Sequence, residues 1–344
     1  MDSVSTKEKL KKHYRHVRQW VTEFGLPTMG NPRKLWRGIK WEFFPHYRQY
    51  PPFVILDPIV NCNLKCPLCS IPPKVLPHFG SKLTMETFET ILSNIKGVTN
   101  KVFFCHAGEP FLNRSLFDMV ARVNQENLYS LVGTNGTLLT EKNIARIFSS
   151  GLDYLQISFD GFSKDTYEKY RVGANFDRAL QSIINLQKTK IRGNHKKPFI
   201  SITFLVNAYN CQEVDAAVSF FSKLKLQFIP KGINLNLHRR KDDKVNDDLG
   251  HWIETQSKYS IYRRDDSGNL SYKSPFKPVC DTCEKPVINC KGDILLCCHD
   301  IFNSVKLGNI EDGDFKSLWL SREYRSFRAL AAQRKLPLCK VCGK

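Results

Sequence analysis

Residues 53–60 read Phe53-Val54-Ile55-Leu56-Asp57-Pro58-Ile59-Val60, and the chain continues at once as Asn61-Cys62-Asn63-Leu64-Lys65-Cys66-Pro67-Leu68-Cys69. The first stretch is apolar and β-branched and follows a Pro-Pro break at 51–52, so it reads as a strand. The second places three thiols in eight residues of one loop. Three thiolates at this spacing can hold three irons of a cubane and leave the fourth iron without a protein ligand. An open metal position is what a reactive centre needs. Structural zinc is the alternative; it takes four ligands in two pairs, and the nearest fourth candidates are Cys105 and His106.

Outward from this loop, β-rich runs alternate with helical ones. KVFFCHA (101–107), LYSLVGT (128–134), LDYLQISFD (152–160), FISITFLVN (199–207) and GINLNLHR (232–239) read as further strands. Between them TMETFETILSNI (84–95), SLFDMVARVNQ (115–125), TEKNIARIFSS (140–150), NFDRALQSIINLQKT (175–189) and VDAAVSFFSKLK (214–225) carry helical periodicity. Strict alternation implies parallel strands joined by right-handed crossovers. The expectation is an α/β fold, a partial (β/α)6 TIM-like barrel over residues 51–240, with its chemistry at the C-terminal strand ends.

The C-x3-C-x2-C loop after the first strand resembles that of the radical S-adenosylmethionine (SAM) superfamily. Further segments match it in order: Cys105-His106-Ala107-Gly108-Glu109-Pro110, Thr134-Asn135-Gly136, Ile157-Ser158-Phe159-Asp160-Gly161 and Tyr167-Glu168-Lys169-Tyr170-Arg171. The resemblance implies a [4Fe–4S] cluster on Cys62, Cys66 and Cys69, with SAM on the open iron. SAM would be cleaved to methionine and a 5′-deoxyadenosyl radical that takes hydrogen from a substrate, with an electron donor such as flavodoxin or ferredoxin. It also implies SAM contacts from Gly108, Glu109, Asn135, Ser158 and Arg171, and from Leu68 beside the third cysteine. Ala107 stands where the family has a first glycine, and Leu68 where an aromatic is common. Taken singly the motifs have plainer readings: Asp160 could cap a turn, and Glu109 could be a surface acid.

From about residue 276 the chain becomes cysteine-rich: Cys280-x2-Cys283-x6-Cys290-x-Gly292-x4-Cys297-Cys298, then Cys339-x2-Cys342. Short strands (PVINCKGDILLCC) and one helix (SLWLSREYRSFRALAAQ) are expected here, after a polar connection over 241–275. The spacing resembles the auxiliary-cluster extension called SPASM or its shortened "twitch" form. This implies a second [4Fe–4S] cluster on Cys280, Cys297, Cys339 and Cys342, within a unit over 241–344. Cys283 could replace Cys280, and Cys298 could replace Cys297. Cys290, Cys105 and Cys211 read as buried thiols, and a four-cysteine zinc site is the plainer competitor.

Twelve cysteines in clusters argue for metal in a reducing compartment, where disulfides are rare. No apolar run is long enough to span a bilayer, and a cytoplasmic protein is expected. The net charge of +19 makes an anionic partner the expectation. Residues 1–50 form a basic, tryptophan-bearing segment with a helix expected around Lys7–Arg18. It reads as an amphipathic helix packed on the barrel, or as a contact with an anionic membrane surface. Nucleic acid is not expected, because no recognition module is visible. The functional expectation is hydrogen abstraction from a polar, sugar-like or nucleotide-linked small molecule, for net oxidation. The alternatives are maturation of a peptide or protein and action on a lipid-linked substrate.

Overall fold

The computed structural model describes residues 31–69, 76–235, 249–273, 280 and 282–340. The helix expected around Lys7–Arg18 and the ligand candidate Cys342 lie outside the described residues. Six parallel strands follow one another in chain order: β1 (Val54–Leu56), β2 (Lys101–Phe104), β3 (Tyr129–Thr134), β4 (Tyr154–Ser158), β5 (Phe199–Val206) and β6 (Gln227–Gly232). Helices cross between them: α2 (Met85–Ile95), α3 (Leu116–Gln125), α4 (Glu141–Ser149), the pair α5 (Lys164–Tyr170) and α6 (Phe176–Arg192), and α7 (Val214–Lys223). Ahead of them lies α1 (Pro32–Phe43). Thr84, Thr140, Ser163 and Asn175 accept from the exposed N–H groups at the helix starts, which fixes where α2, α4, α5 and α6 begin.

The sixth strand differs from the expectation. It forms at Gln227–Gly232, and not at 232–239, part of which lies outside the described residues. Pro230 makes this run look broken in sequence. It is tolerated because β6 ends the sheet and pairs on one side only, with Pro230 beside Phe204.

The C-terminal region extends the same sheet. β9 (Val287–Ile288) pairs parallel with β1, and antiparallel β10 (Asp293–Leu295) and β11 (Lys306–Asn309) follow outward. The expected connection holds a hairpin, β7 (Tyr262–Arg264) and β8 (Leu270–Tyr272). The single helix expected near the end is two, α8 (Phe315–Leu320) and α9 (Arg322–Ala332), and a short α10 (Pro337–Lys340) follows. Ser321 breaks the run: extended there, it turns its hydroxyl to accept from Tyr324 N and starts α9.

Strand register sorts the side chains into layers. On one face Leu56, Val102, Phe104, Val132, Leu155, Ile157, Ile202 and Phe204 pack under the helices in one core. On the other face the lowest layer is apolar: Leu295, Val287, Ile55, Phe103, Leu131, Tyr154 and Phe199 sit side by side across seven strands. The next layer toward the C-terminal strand ends is polar, with Gly133, Gln156, Ser201 and Gln227 in register. Cys105 belongs to this layer, since a Cβ on Gly133 would lie 3.0 Å from Cys105 Cβ. Ser158, Thr203 and Ile229 form the row above. An apolar floor beneath polar rows makes a site open only at the C-terminal end.

Candidate functional site

All nine residues marked in sequence for the first cluster and for SAM line one cavity of about 440 Å³ at the C-terminal strand ends. They are Cys62, Cys66, Leu68, Cys69, Gly108, Glu109, Asn135, Ser158 and Arg171. Cys105 and His106, named in sequence as zinc-ligand candidates, also line it, as do Gln156, Tyr170 and Ile301.

The cysteine loop is held by close backbone packing. Gly108 has φ +77°, and a Cβ there would lie 2.3 Å from Ile59 O and 2.4 Å from Asn61 O. Only glycine fits, and Glu109 N then donates to Asn61 O at 2.8 Å. Ala107, the departure in this motif, is buried, and its N–H donates to Asp57 Oδ1 at 2.9 Å.

Glu109 is no surface acid. It is 1% exposed, and its carboxylate accepts from Thr134 Oγ1 (2.7 Å), Asn135 N (2.7 Å) and Phe111 N (3.1 Å). Burial pushes this carboxyl above its ordinary range, while the three donors and Arg171 pull it back. It ties the ends of β2 and β3 together. Asn135 carries the tie to the loop: its Nδ2 donates to Asn63 Oδ1 at 3.0 Å and reaches Cys62 Sγ at 3.7 Å.

The sulfurs face N–H groups. Leu64 N points at Cys62 Sγ (3.4 Å), and the Arg171 guanidinium at Cys66 Sγ (3.6 Å). Burial pushes the Cys66 thiol up to about 11 against the pull of Arg171, so ligation there must displace a proton. Arg171 is also ion-paired with buried Asp160, whose other oxygen accepts from Leu205 N at 2.7 Å. Asp160 therefore braces an arginine and does not cap a turn. Ser158 Oγ lies 3.2 Å from Thr203 Oγ1 on the neighbouring strand. Three thiols on one cavity wall with N–H donors aimed at two of them suit an anionic iron–sulfur cluster.

The deep end of the cavity is different. His106 spans Asp57 Oδ1 (2.9 Å) and Cys298 O (3.0 Å), so it links the barrel to the C-terminal region. Both partners are acceptors, and bridging them takes both ring N–H groups. Cys105 is pushed up to about 12 by burial, with Cys298 and Asp57 adding to it. It lines the cavity, and Cys211 is half-buried on the chain following β5, so neither is a plain core thiol. Gln156 turns its side chain to the cavity, and Gln227 Oε1 is buried without a partner.

In the C-terminal region Cys283 (3% exposed) and Cys339 (7%) share one apolar cluster with Leu296 and Ala331, and Cys297 is buried at 7%. The alternatives left open in sequence have different surroundings here. Cys298 packs against the floor residues Ile55, Val287 and Leu295, a group that Cys297 does not join. Burial pushes the Cys297 thiol well up, while the N–H groups of His299 and Asp300 directed at its sulfur oppose that rise. Cys283 has the opposite surroundings: its thiol donates to Cys280 O (3.5 Å) and Arg328 O (3.6 Å), and it is pushed up to about 12. Carbonyls suit a thiol and repel a thiolate. Cys280 is half-buried, and Cys290 is buried at 2% as expected.

This fold and this arrangement of cysteines define the class, and comparison with known proteins agrees. Residues 56–221 match the Radical SAM superfamily, and residues 280–343 match SPASM, an iron-sulfur cluster-binding domain. The chain belongs to the radical SAM superfamily and carries a C-terminal SPASM region, which implies SAM, a [4Fe–4S] cluster and an auxiliary iron–sulfur cluster. It is 26% identical over 201 residues to an Fe-coproporphyrin III synthase of Methanosarcina barkeri, covering 58% of this chain and 47% of the relative. The match thus spans about half the length of that relative. A cysteine-type anaerobic sulfatase-maturating enzyme of Clostridium novyi is 27% identical over 320 residues, 82% of each protein. Among solved structures, Streptococcus suis SuiB bound to precursor peptide SuiA superposes with a TM-score of 0.58 at 15% identity, over 85% of this chain and 70% of that one. Among the described residues no helix is long and apolar enough to cross a membrane.

Proposed function

We propose that this chain removes a hydrogen atom from a polar small molecule held against Gln156, Cys105 and Gln227, for net oxidation. The cluster on Cys62, Cys66 and Cys69, when bound with SAM, supplies one-electron cleavage of SAM and the hydrogen-abstracting fragment that results. The chain's own residues hold and orient. Arg171 and Leu64 N stabilise negative charge on the sulfurs. Glu109 and Asn135 fix the loop, and Gly108 lets backbone come close enough to meet SAM. Ser158 offers a hydroxyl in the row above Gln156. The floor of Phe103, Leu131 and Tyr154 closes the bottom of the site to water. Cys280, Cys297, Cys339 and Cys342 are assigned to the auxiliary cluster, with Cys283 kept as a thiol.

The observation that carries this reading is the polar row itself. Gln156 lines the cavity above an apolar floor, and Gln227, in the same row, has its Oε1 buried without a partner, which is costly unless a ligand satisfies it. The two carboxamides match hydroxyl or amide groups and not an apolar substrate. Peptide maturation is the second reading, favoured by the likeness to the sulfatase-maturating enzyme and to SuiB. An amide would satisfy the same carboxamides.

The test uses anaerobic, reduced, cluster-loaded enzyme. It should cleave SAM to 5′-deoxyadenosine and methionine slowly without substrate. Among candidate aminosugars, nucleotide sugars and short peptides, those that are substrates should raise this rate and pass deuterium from carbon into the 5′-deoxyadenosine. No SAM cleavage at all would refute the reading. Stimulation by peptides alone would select the second.

A further inference from the structure

The helix α1 has two unlike faces. Lys34, Arg37, Gly38 and Trp41, at helical spacing, face the barrel. Lys34 is 1% exposed, and its ammonium lies 2.6 Å from Asp153 Oδ2, while Arg37 donates to Thr99 O at 2.7 Å and to Lys96 O. Asn31 reaches Asn127. Asp153, Thr99 and Asn127 each stand just before a strand, β4, β2 and β3 respectively. So α1 lies across the N-terminal ends of the strands, the end opposite the cavity.

The outward face reads Arg33, Trp36, Lys40, Phe43, at spacings of three and four, and Phe44 follows. Trp36 is 52% exposed, Phe43 51% and Phe44 48%, three of the largest exposed apolar side chains among the described residues. Lys40 Nζ stands 5.5 Å from the Trp36 ring centre, and Trp36 meets Phe44 edge-on. A core helix would turn these rings inward. The same end of the barrel carries the close of α6, where Ile191 is 61% exposed between Lys190 and Arg192. This segment sits next to α1, because Lys197 and Lys34 share Asp153.

We propose that this end of the barrel docks on an anionic bilayer surface. Trp36, Phe43, Phe44 and Ile191 would enter the headgroup layer, and Arg33, Lys40 and Arg192 would meet lipid phosphates. Charge complementarity selects the occupant: aromatic rings alternating with cations along one helix face are what an interfacial helix needs, and a chain of net charge +19 is drawn to an anionic leaflet. The geometry also sets the orientation. With this end on the bilayer the cavity opens away from the membrane, so docking localises the enzyme and does not feed it a lipid.

The test is flotation of the full-length, cluster-loaded enzyme with vesicles. One set is phosphatidylcholine with about one-third phosphatidylglycerol, the other phosphatidylcholine alone. Binding should favour the anionic vesicles by at least about tenfold and weaken in high salt. The combined variant Trp36→Ser, Phe43→Ser, Phe44→Ser should lose at least about tenfold in binding while still cleaving SAM, which shows that it is folded. Absence of binding by the full chain overturns the proposal. So does equal binding to both vesicle types, or undiminished binding by the triple variant. A dimer in solution that the triple variant dissociates, without vesicle binding, would assign the face to a second copy of the chain.

Discussion

The two cysteine sites are built from the same ligand atoms and differ in everything around them. Cys62, Cys66 and Cys69 stand on the wall of a cavity, beside a charged pair, with Gln156 and Ser158 across from them. Cys339 lies in an apolar cluster with Cys283, and Cys297 is buried with the N–H groups of His299 and Asp300 directed at its sulfur. The first site gives up burial in order to admit SAM and substrate. Among the described residues the second is the closed one, with Cys283, Cys297 and Cys339 all 7% exposed or less. The difference teaches that the cysteines mark where iron goes, and their neighbours mark what the iron is for.

The largest effect should come from destroying the sites one at a time. Loaded enzyme should carry about eight irons per chain, and replacing Cys62, Cys66 and Cys69 by alanine should leave about four and abolish SAM cleavage. Replacing Cys297 by alanine should also leave about four, yet keep SAM cleavage and lose oxidised product. Cys283→Ala should keep all its iron, because its sulfur faces carbonyls. Iron analysis and 5′-deoxyadenosine assays on the three proteins decide this. Product formed at the full rate by the Cys297 variant would mean a redox-neutral reaction.

A smaller effect should follow from loosening the brace of the open site. Asp160→Asn leaves the Arg171 guanidinium without its buried carboxylate, at a cost of about 3 kcal/mol in stability. Arg171 is also the group that points at Cys66 Sγ. SAM affinity should therefore fall by about tenfold or more while iron content holds. The equivalent mutation has no counterpart at the closed site, where no charged pair holds a sulfur among the described residues. Chemical denaturation and equilibrium binding of SAM measure the two parts separately. A variant with full stability and full SAM affinity would show that the pair is incidental.

Much of the fold could be read from the sequence because its signals are local. An apolar run, a helix with a capping Ser, Thr or Asn, and a cysteine triplet each fit within a few residues. All nine residues marked for the first site meet in one cavity: eight of them end or follow the successive strands β1 to β4, Arg171 follows α5, and parallel strands bring their C-terminal ends together. What was missed depends on partners far apart in the chain. Asp160 and Arg171 find each other only after α5 has turned. His106 reaches Cys298 across 192 positions. Pro230 hid β6, because whether a proline breaks a strand depends on whether that strand is at an edge. Gln156 and Gln227 looked like ordinary polar positions in alternating strands, and their shared row appears only once β4, β5 and β6 are in register. That Cys298 packs against the apolar floor while Cys297 does not is likewise something that spacing does not carry.

The smallest expected effect is at Gln227, and its sign is the informative part. A buried carbonyl oxygen without a partner destabilises a protein, and removing it with a side chain of similar size relieves that cost. Gln227→Leu should therefore raise stability by about 1 kcal/mol, a rise of a few degrees in melting temperature. Residues of the closed site offer no such gain, since its thiols already have donors or acceptors in place. If the polar row exists to meet a substrate, the same variant should lose substrate-stimulated SAM cleavage while its slow cleavage without substrate stays unchanged. Gln227→Glu would then serve as the control: it keeps an acceptor at the same reach and adds a charge, so it should fall in stability and not rise. Thermal melts of the three proteins, paired with the two cleavage rates, test whether the open site holds an unsatisfied group for the substrate to complete. A Leu variant that is both less stable and fully active would place the Gln227 carboxamide outside the substrate's reach and leave Gln156 and Cys105 to define the deep end.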